Sequence, residues 1–335
     1  MTTTIRRFQS LCLGCMNFRK NISAPCQICG RSKNIVNKHE QLIPGSILAG
    51  HYLIGRALGQ GGFGITYLAF DLKFEKKVAV KEFFPHAIVT RKKDHYTVIP
   101  SAEKGVAALF VKGLNRFFKE AQILAKFAEN PYIVGVNDFF YENATSYIVM
   151  DFVEGVTFKD YLISLKCPMY LGDVLALLEP IAESLETVHA RGLLHRDISP
   201  DNIILTGSGV AKLLDFGAAR SFSLEGELSN TINVKMGYAP PEQFQTHGKQ
   251  GPWTDVYALA ATIYRAITGQ KPVSALDRWY GEDTLIPPRS LGAIITMAEE
   301  YALLKGLAME TEKRSQSIED FFSTLKRASI TTKKY

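Results

Sequence analysis

His195-Arg196-Asp197-Ile198-Ser199-Pro200-Asp201-Asn202 is the most chemically loaded stretch in this chain of 335 residues. Thirteen residues beyond Asn202 comes Asp215-Phe216-Gly217. An Asp five residues before an Asn, with a second Asp behind an apolar segment, suits phosphoryl transfer. Asp197 can hold an acceptor hydroxyl, while Asn202 and Asp215 hold Mg²⁺ (or Mn²⁺) against the phosphates of ATP. A second constellation lies near the N-terminus, Cys12-x2-Cys15-x10-Cys26-x2-Cys29. Two C-x-x-C knuckles in a short stretch supply the ligands of a tetrahedral thiolate Zn²⁺ site; two disulfides or a redox pair are the competing readings.

The surrounding elements must position these groups. Tyr52–Leu58 reads as a strand, and Gly59-Gln60-Gly61-Gly62-Phe63-Gly64-Ile65-Thr66-Tyr67 follows it with the spacing G-x-G-x-x-G. The motif lies between two apolar runs and not between a strand and a helix, so a dinucleotide-binding fingerprint fits poorly. A glycine-rich hairpin whose backbone N–H groups approach phosphate oxygens fits better. Val78-Ala79-Val80-Lys81 is a buried strand carrying a cation that needs an acidic partner. The candidate is Glu120, beside Phe117, Ala121 and Leu124 at helical spacing. The intervening residues 82–113 hold a basic run, Arg91-Lys92-Lys93, and a strand-like Tyr96-Thr97-Val98-Ile99; a solvated insertion is expected there. Thr145–Met150 reads as another apolar strand. Leu175, Leu178, Ile181, Leu185 and Val188 mark an amphipathic helix that stops at Gly192 and feeds the chain into His195. Thr254-Asp255-Val256 opens a second apolar helix ending near Gly269.

Taken in order, these motifs resemble the Hanks-type Ser/Thr protein kinases of bacteria, over about residues 52–328. The resemblance implies an α+β fold of two lobes: a small antiparallel sheet with one helix, then a mainly helical lobe. It also implies roles. Gly59, Gly61, Gly62, Phe63, Gly64 and Thr66 would cover ATP. Ala79 and Met150, the latter as gatekeeper, would flank the adenine, and Asp151 C=O and Val153 N–H would meet its edge. Lys81, held by Glu120, would reach the α- and β-phosphates, and Asp197 would orient the acceptor. Asp255 would brace the catalytic loop from beneath, and Glu242 of Gly237-Tyr238-Ala239-Pro240-Pro241-Glu242 would pair with Arg314. Arg196 before Asp197 implies control by phosphorylation of the activation segment, where Ser221, Ser223, Ser229 and Thr231 are available. The implied substrates are Ser and Thr hydroxyls of proteins, with autophosphorylation. The alternative is a catalytically weak nucleotide-binding scaffold acting through a zinc ribbon formed by its four cysteines.

One position departs from the family pattern. Ser199 stands where a Lys usually contacts the γ-phosphate. Three residues before Tyr238, where the family usually has Thr, this chain has Lys235. The two residue types look exchanged, so Lys235 is expected to supply the missing ammonium.

Charge is unevenly placed. Residues 1–45 hold Arg6, Arg7, Arg19, Lys20, Arg31, Lys33 and Lys38 against Glu40 alone, which accounts for the whole net charge of +6. The cysteine segment looks like a zinc ribbon, too short to fold without its metal. Its basic character suits a protein partner or an anionic surface; nucleic acid fits less well, because Phe8 and Phe18 are its only aromatics. The expected division is a zinc-ribbon-like module at 1–37, a linker at 38–51, the catalytic domain at 52–328 and a tail at 329–335. No uninterrupted apolar run of about 18 residues exists to span a membrane. No apolar run follows the first residues as in a signal peptide, so a cytoplasmic protein is expected.

Overall fold

A computed structural model describes residues 8, 10–32, 34–214, 235–245, 248–281 and 284–331. The described chain forms two compact units. One takes the residues up to Glu129 together with 135–152, and the other takes 130–134 and the residues from 153 onward.

The first unit is built on a six-stranded antiparallel sheet. Its strands are β1 (Ile47–Leu48), β2 (Tyr52–Gln60), β3 (Gly64–Asp71), β4 (Lys76–Phe83), β7 (Val136–Glu142) and β8 (Thr145–Asp151), in the order β1-β2-β3-β4-β8-β7. Two further strands, β5 (Val89–Arg91) and β6 (Val98–Pro100), form a separate hairpin. The helix Val106–Leu124 buries Val106, Phe110, Gly113, Phe117 and Ala121, and most of these join Tyr67, Phe83 and Val149 of the strands in one core. Residues 82–113 are therefore not a single solvated insertion: they contain a hairpin and the first two turns of this helix.

Arg91, read as part of a solvated basic run, is buried. Its Nη2 lies 2.6 Å from Glu82 Oε2, and its guanidinium stacks 4.9 Å from the centre of the Phe84 ring. Tyr67 and Tyr147 each donate from their hydroxyls to the same carboxylate at 2.9 Å. Strand alternation puts Glu82, Tyr67 and Tyr147 on one face, where a buried carboxylate is stable only when fully partnered. Burial, then the Glu82 charge, pushes both phenols above their ordinary range. Lys92 and Lys93 are exposed.

The connector is also fastened. Leu42 and Leu48 are fully buried in the same core, Leu42 N donates to Tyr67 Oη at 3.0 Å, and Arg91 Nε donates to Glu40 O at 2.8 Å. The cysteine segment shares a smaller apolar cluster with the sheet, in which Phe8, Leu11 and Met16 meet Leu68 and Phe70.

The second unit is mainly helical. The helix Leu171–His189 packs Val174, Leu178, Ile181, Leu185 and Val188 inward, as the apolar spacing predicts. The helix Pro252–Thr268 is buried along nearly its whole length and ends on Gly269 in the left-handed region at φ 71°, which glycine tolerates best. The helices Met297–Gly306 and Ile318–Thr331 complete the layer. A three-stranded sheet, β11 (Ala211–Leu213), β10 (Ile203–Thr206) and β9 (Gly155–Thr157), carries the segment around Asn202.

Candidate active site

In the first unit β2 and β3 form a hairpin, with Gly59 opposite Thr66 and Gln60 opposite Ile65, closed by Gly61 N donating to Gly64 O at 2.9 Å. A Cβ at Gly64 would come within 2.6 Å of Glu82 O, so only glycine lets β3 approach β4 there. A Cβ at Gly59 or Gly61 would meet nothing within 4 Å, which leaves that backbone open to a ligand. Phe63 packs on the core, and its carbonyl accepts from Phe84 N at 2.9 Å. Register sets Thr66 opposite Lys81 and Ala79 opposite Met150, and Ala79 and Lys81 are two apart. All four therefore share one face of the sheet. Lys81 is buried, and Glu120 lies half-buried on the helix beside Phe117 and Ala121. Asp151 closes β8; its carboxylate is exposed and accepts from Asn137 Nδ2 at 2.8 Å. Val153 belongs to the second unit.

The loop from His195 to Asn202 hangs on one buried carboxylate. Asp255 accepts from the backbone N–H groups of His195 and Arg196, both at 2.7 Å, and lies 2.8 Å from His189 Nε2. Burial alone would raise its pKa; the His189 contact and the Arg196 amide outweigh this and hold it below the usual carboxylate range. His195 Nε2 faces Leu214 O at 2.8 Å, and Asp197 N donates to His195 Nδ1 at 3.2 Å, an arrangement that requires the proton on Nε2. Arg196 is left-handed at φ 64°, and its carbonyl accepts from Gln243 Nε2 at 2.9 Å. The strain of such a conformation, about 1–3 kcal/mol, is held by these bonds on both sides. Asn202 Nδ2 donates to Asp197 O at 2.7 Å, which ties the amide to the Asp. Asp215, Ser221, Ser223, Ser229 and Thr231 lie outside the described residues.

Lys235 joins this loop. Its Nζ donates to Ser199 Oγ at 2.8 Å and lies 3.7 Å from Asp197 Oδ1. Lys235 C=O accepts from Tyr238 N and Ala239 N at 2.9 and 3.1 Å, so a turn fixes the backbone from which the ammonium projects. Chemically the loop offers a carboxylate for an acceptor proton beside a cation for developing negative charge.

The four cysteines form a separate centre. All four Sγ atoms lie within 4.8 Å of one another, with Cys12 and Cys29 at 3.6 Å and Cys15 and Cys26 at 3.7 Å. These separations exceed a disulfide bond and match the ~3.8 Å sulfur–sulfur edge of a tetrahedral Zn²⁺ site. Burial raises the Cys12 thiol, but donation from Arg19 and backbone N–H groups prevails and brings it down to about 6. At Cys15 burial prevails and pushes the thiol up to about 12.

Comparison with known proteins decides the family. Residues 52–287 match the protein kinase domain. The chain belongs to that family. The kinase domain is 31% identical over 296 residues to the serine/threonine-protein kinase pkn2 of Myxococcus xanthus, covering 84% of this chain and 33% of that protein. It is 29% identical over 295 residues to PrkC of Bacillus subtilis, covering 86% of this chain and 42% of that protein. The chain thus spans less than half the length of these relatives. The solved structure of PpkA-294 in its apo form aligns with TM-score 0.71 at 33% identity, covering 85% of this chain and 99% of that one. These relatives make the kinase domain one of the bacterial Hanks type.

The kinase domain brings Glu242 and Arg314 together in full: Nη1–Oε1 is 2.8 Å and Nη2–Oε2 is 3.2 Å. Three backbone carbonyls, of Ala308, Trp253 and Met309, accept the remaining guanidinium protons. Sequence reasoning missed three participants. His189 and Gln243 are distant in sequence from the loop they hold, and only the apolar helix ending at His189 hinted at the first. Arg19 donates from Nη2 to Cys12 Sγ at 3.3 Å and is buried, whereas Lys20, Arg31 and Lys38 of the same basic segment are exposed. Among the described residues no helix is long and apolar enough to cross a membrane.

Proposed function

We propose that the chain transfers the γ-phosphate of ATP to Ser and Thr hydroxyls of protein substrates, and to its own activation segment. The observation that carries this reading is the loop hung on Asp255, with Asp197, Asn202, Ser199 and Lys235 within hydrogen-bonding or ionic reach of one another. Asp197 accepts the proton of the acceptor hydroxyl as its oxygen attacks the γ-phosphorus. The bond to the β–γ bridging oxygen breaks, and ADP leaves with the electron pair. Lys235 stabilises the charge on the transferring group in place of the Lys absent at 199. Lys81, paired with Glu120, orients the α- and β-phosphates; the shared sheet face of Thr66, Ala79, Lys81 and Met150 supports this. Asn202 and Asp215 would hold Mg²⁺ or Mn²⁺, which when bound offsets phosphate charge. Asp151 C=O and Val153 N–H meet adenine through backbone atoms.

For the cysteines we propose one structural Zn²⁺ held by Cys12, Cys15, Cys26 and Cys29; the sulfur spacing supports it. A four-thiolate metal site beside an exposed, unbridged Cys167 supports a reducing, cytoplasmic setting. We further propose a division into a module at 1–37, a connector at 38–51, a kinase domain at 52–328 and a tail at 329–335, with the exposed Lys20, Arg31 and Lys38 offered to a protein or anionic surface.

The test is incubation with labelled ATP and Mg²⁺, followed by mapping of the modified residues, beside Asp197→Ala. Phosphoserine or phosphothreonine in the parent and none in the variant is expected. Nucleotide binding without any transfer would sink the reading.

A further inference from the structure

We infer that the cysteine module and connector are a brace on the glycine-rich loop, so that metal occupancy of the four thiolates is transmitted to nucleotide affinity. The inference rests on the kinase and zinc readings above and adds a coupling between them.

It starts from an open strand edge. β1 pairs with β2 only at Tyr52 and Leu53, so among the described residues no strand covers β2 as it runs on toward Gly59. A bare edge of this kind exposes unsatisfied N–H and C=O groups. The register of β2 against β3 also slips twice here, between Ile54 and Ala57 and between Ala57 and Gly59. The strand that delivers the glycine-rich loop is thus irregular just before the loop begins.

The N-terminal segment covers this edge point by point. Arg56 N donates to Leu13 O at 2.9 Å, and Arg56 Nε donates to Gly14 O at 2.8 Å. Asn37 accepts from Ala57 N at 3.0 Å and donates to Gly55 O at 3.2 Å and Leu42 O at 2.8 Å. Gln41 Nε2 donates to Gln60 Oε1 at 2.8 Å, inside the glycine-rich motif itself. The approach is close: a Cβ at Gly55 would lie 2.4 Å from Leu13 O and 2.5 Å from Met16 Cε.

Leu13 and Gly14 are the two residues between Cys12 and Cys15. Ligation of both thiolates by one ion fixes the carbonyls that Arg56 needs. Without the ion the knuckle is a short glycine-containing loop, and its acceptors are no longer held in place. β2 would then enter the glycine-rich turn with its irregular edge loosened, and a nucleotide would have to order that turn on binding. Losing one or two net hydrogen bonds corresponds to roughly ten-fold in affinity.

The test uses the full chain and two readouts independent of turnover. These are hydrogen exchange of peptides covering 55–64 and the Kd for a non-hydrolysable ATP analogue with Mg²⁺, before and after zinc is stripped by a chelator. The expected result is one zinc per chain, and stripping it speeds exchange at 55–64 and weakens the analogue about ten-fold. Exchange in the helix Pro252–Thr268 should not change. Asn37→Ala, which touches no cysteine, should keep its zinc yet show faster exchange and weaker binding. Gly55→Val, whose side chain would press on Leu13 O and Met16 at the knuckle itself, should speed exchange and weaken binding more strongly, whether or not it keeps its zinc. Zinc loss without change in either readout, or an Asn37→Ala chain that behaves as the parent, overturns the inference and leaves the zinc reading standing. Failure to take up zinc overturns both. Failure of phosphate transfer bears on the kinase reading alone, since neither readout needs chemistry.

Discussion

Lys235 Nζ stands 2.8 Å from Ser199 Oγ and 3.7 Å from Asp197 Oδ1, so the cation missing from the catalytic loop is returned to it from the facing segment. Lys235→Met should lower kcat by roughly 10²–10³-fold, the cost of removing one charge stabiliser from a transition state, with little change in KM for ATP. The double change Ser199→Lys with Lys235→Thr restores the family arrangement and should recover much of that loss. Steady-state kinetics on the three proteins decide it; near-normal turnover in Lys235→Met would remove Lys235 from the chemistry.

Arg314 and Glu242 form a buried, two-pronged ion pair that also receives Thr254 Oγ1 at 3.0 Å. Truncating one partner leaves the other charge buried and uncompensated, which costs about 3–5 kcal/mol. Arg314→Ala should therefore lower the denaturant midpoint of the helical unit sharply, whereas Lys313→Ala next door, exposed in the structure, should leave it within about 0.5 kcal/mol.

Much of this arrangement was legible in the sequence, because the chemistry depends on side-chain type at fixed spacing. Asp197, Asn202, Asp255, Glu242 and Arg314 could each be assigned a place, and the exchange of Ser199 with Lys235 could be read from two counts along the chain. The apolar rhythm of Leu175 to Val188 predicted its helix. What stayed hidden depends on backbone atoms or on burial. The carbonyls of Leu13 and Gly14 carry no residue signal, so their contact with Arg56 could not be read. Arg91 and Arg19 looked like neighbours of exposed lysines, because nothing local marks which cation in a basic run turns inward. The helix start at Val106 was also missed: it follows Gly105 with no side-chain cap, although Val106, Phe110, Phe117 and Ala121 keep helical spacing.

Asp255 gives the fold a defined acid limit. Its pKa is depressed in the folded chain, so its contribution to stability is fully present above the unfolded value of about 3.9 and is lost as pH falls through the lower folded value. Denaturation midpoints measured from pH 5 downward should fall steeply in the parent. Asp255→Asn should be less stable at pH 5 and show a shallower decline. An equal slope in both would show that other carboxylates govern acid unfolding.

Arg91 should separate from its lysine neighbours on mutation. Arg91→Met leaves the buried Glu82 carboxylate with only two phenolic donors and should destabilise the sheet-containing unit by about 3–5 kcal/mol. Lys92→Ala and Lys93→Ala should change stability by no more than about 0.5 kcal/mol. Arg91→Met combined with Glu82→Leu removes both charges and should be milder than Arg91→Met alone, a non-additivity that urea titration of the parent, Arg91→Met, Glu82→Leu and the double variant would read directly.

Arg19 is a buried cation at the cysteine centre. Its Nη2 donates to Cys12 Sγ at 3.3 Å and to Ser32 O at 3.1 Å, so one guanidinium joins the first knuckle to the chain just past the second. A thiolate that accepts such a bond is oriented and electrostatically favoured, and loss of a partner of this kind typically weakens metal binding 10–100-fold. Arg19→Ala should therefore yield zinc to a competing chromophoric chelator at concentrations that leave the parent loaded. Arg19→Lys keeps the charge but not the planar fork, so it cannot serve the sulfur and the carbonyl together and should fall between the two. Lys20→Ala, exposed and adjacent, is the control and should bind zinc as the parent does. Equal zinc affinity across all four proteins would mean that Arg19 contributes packing alone.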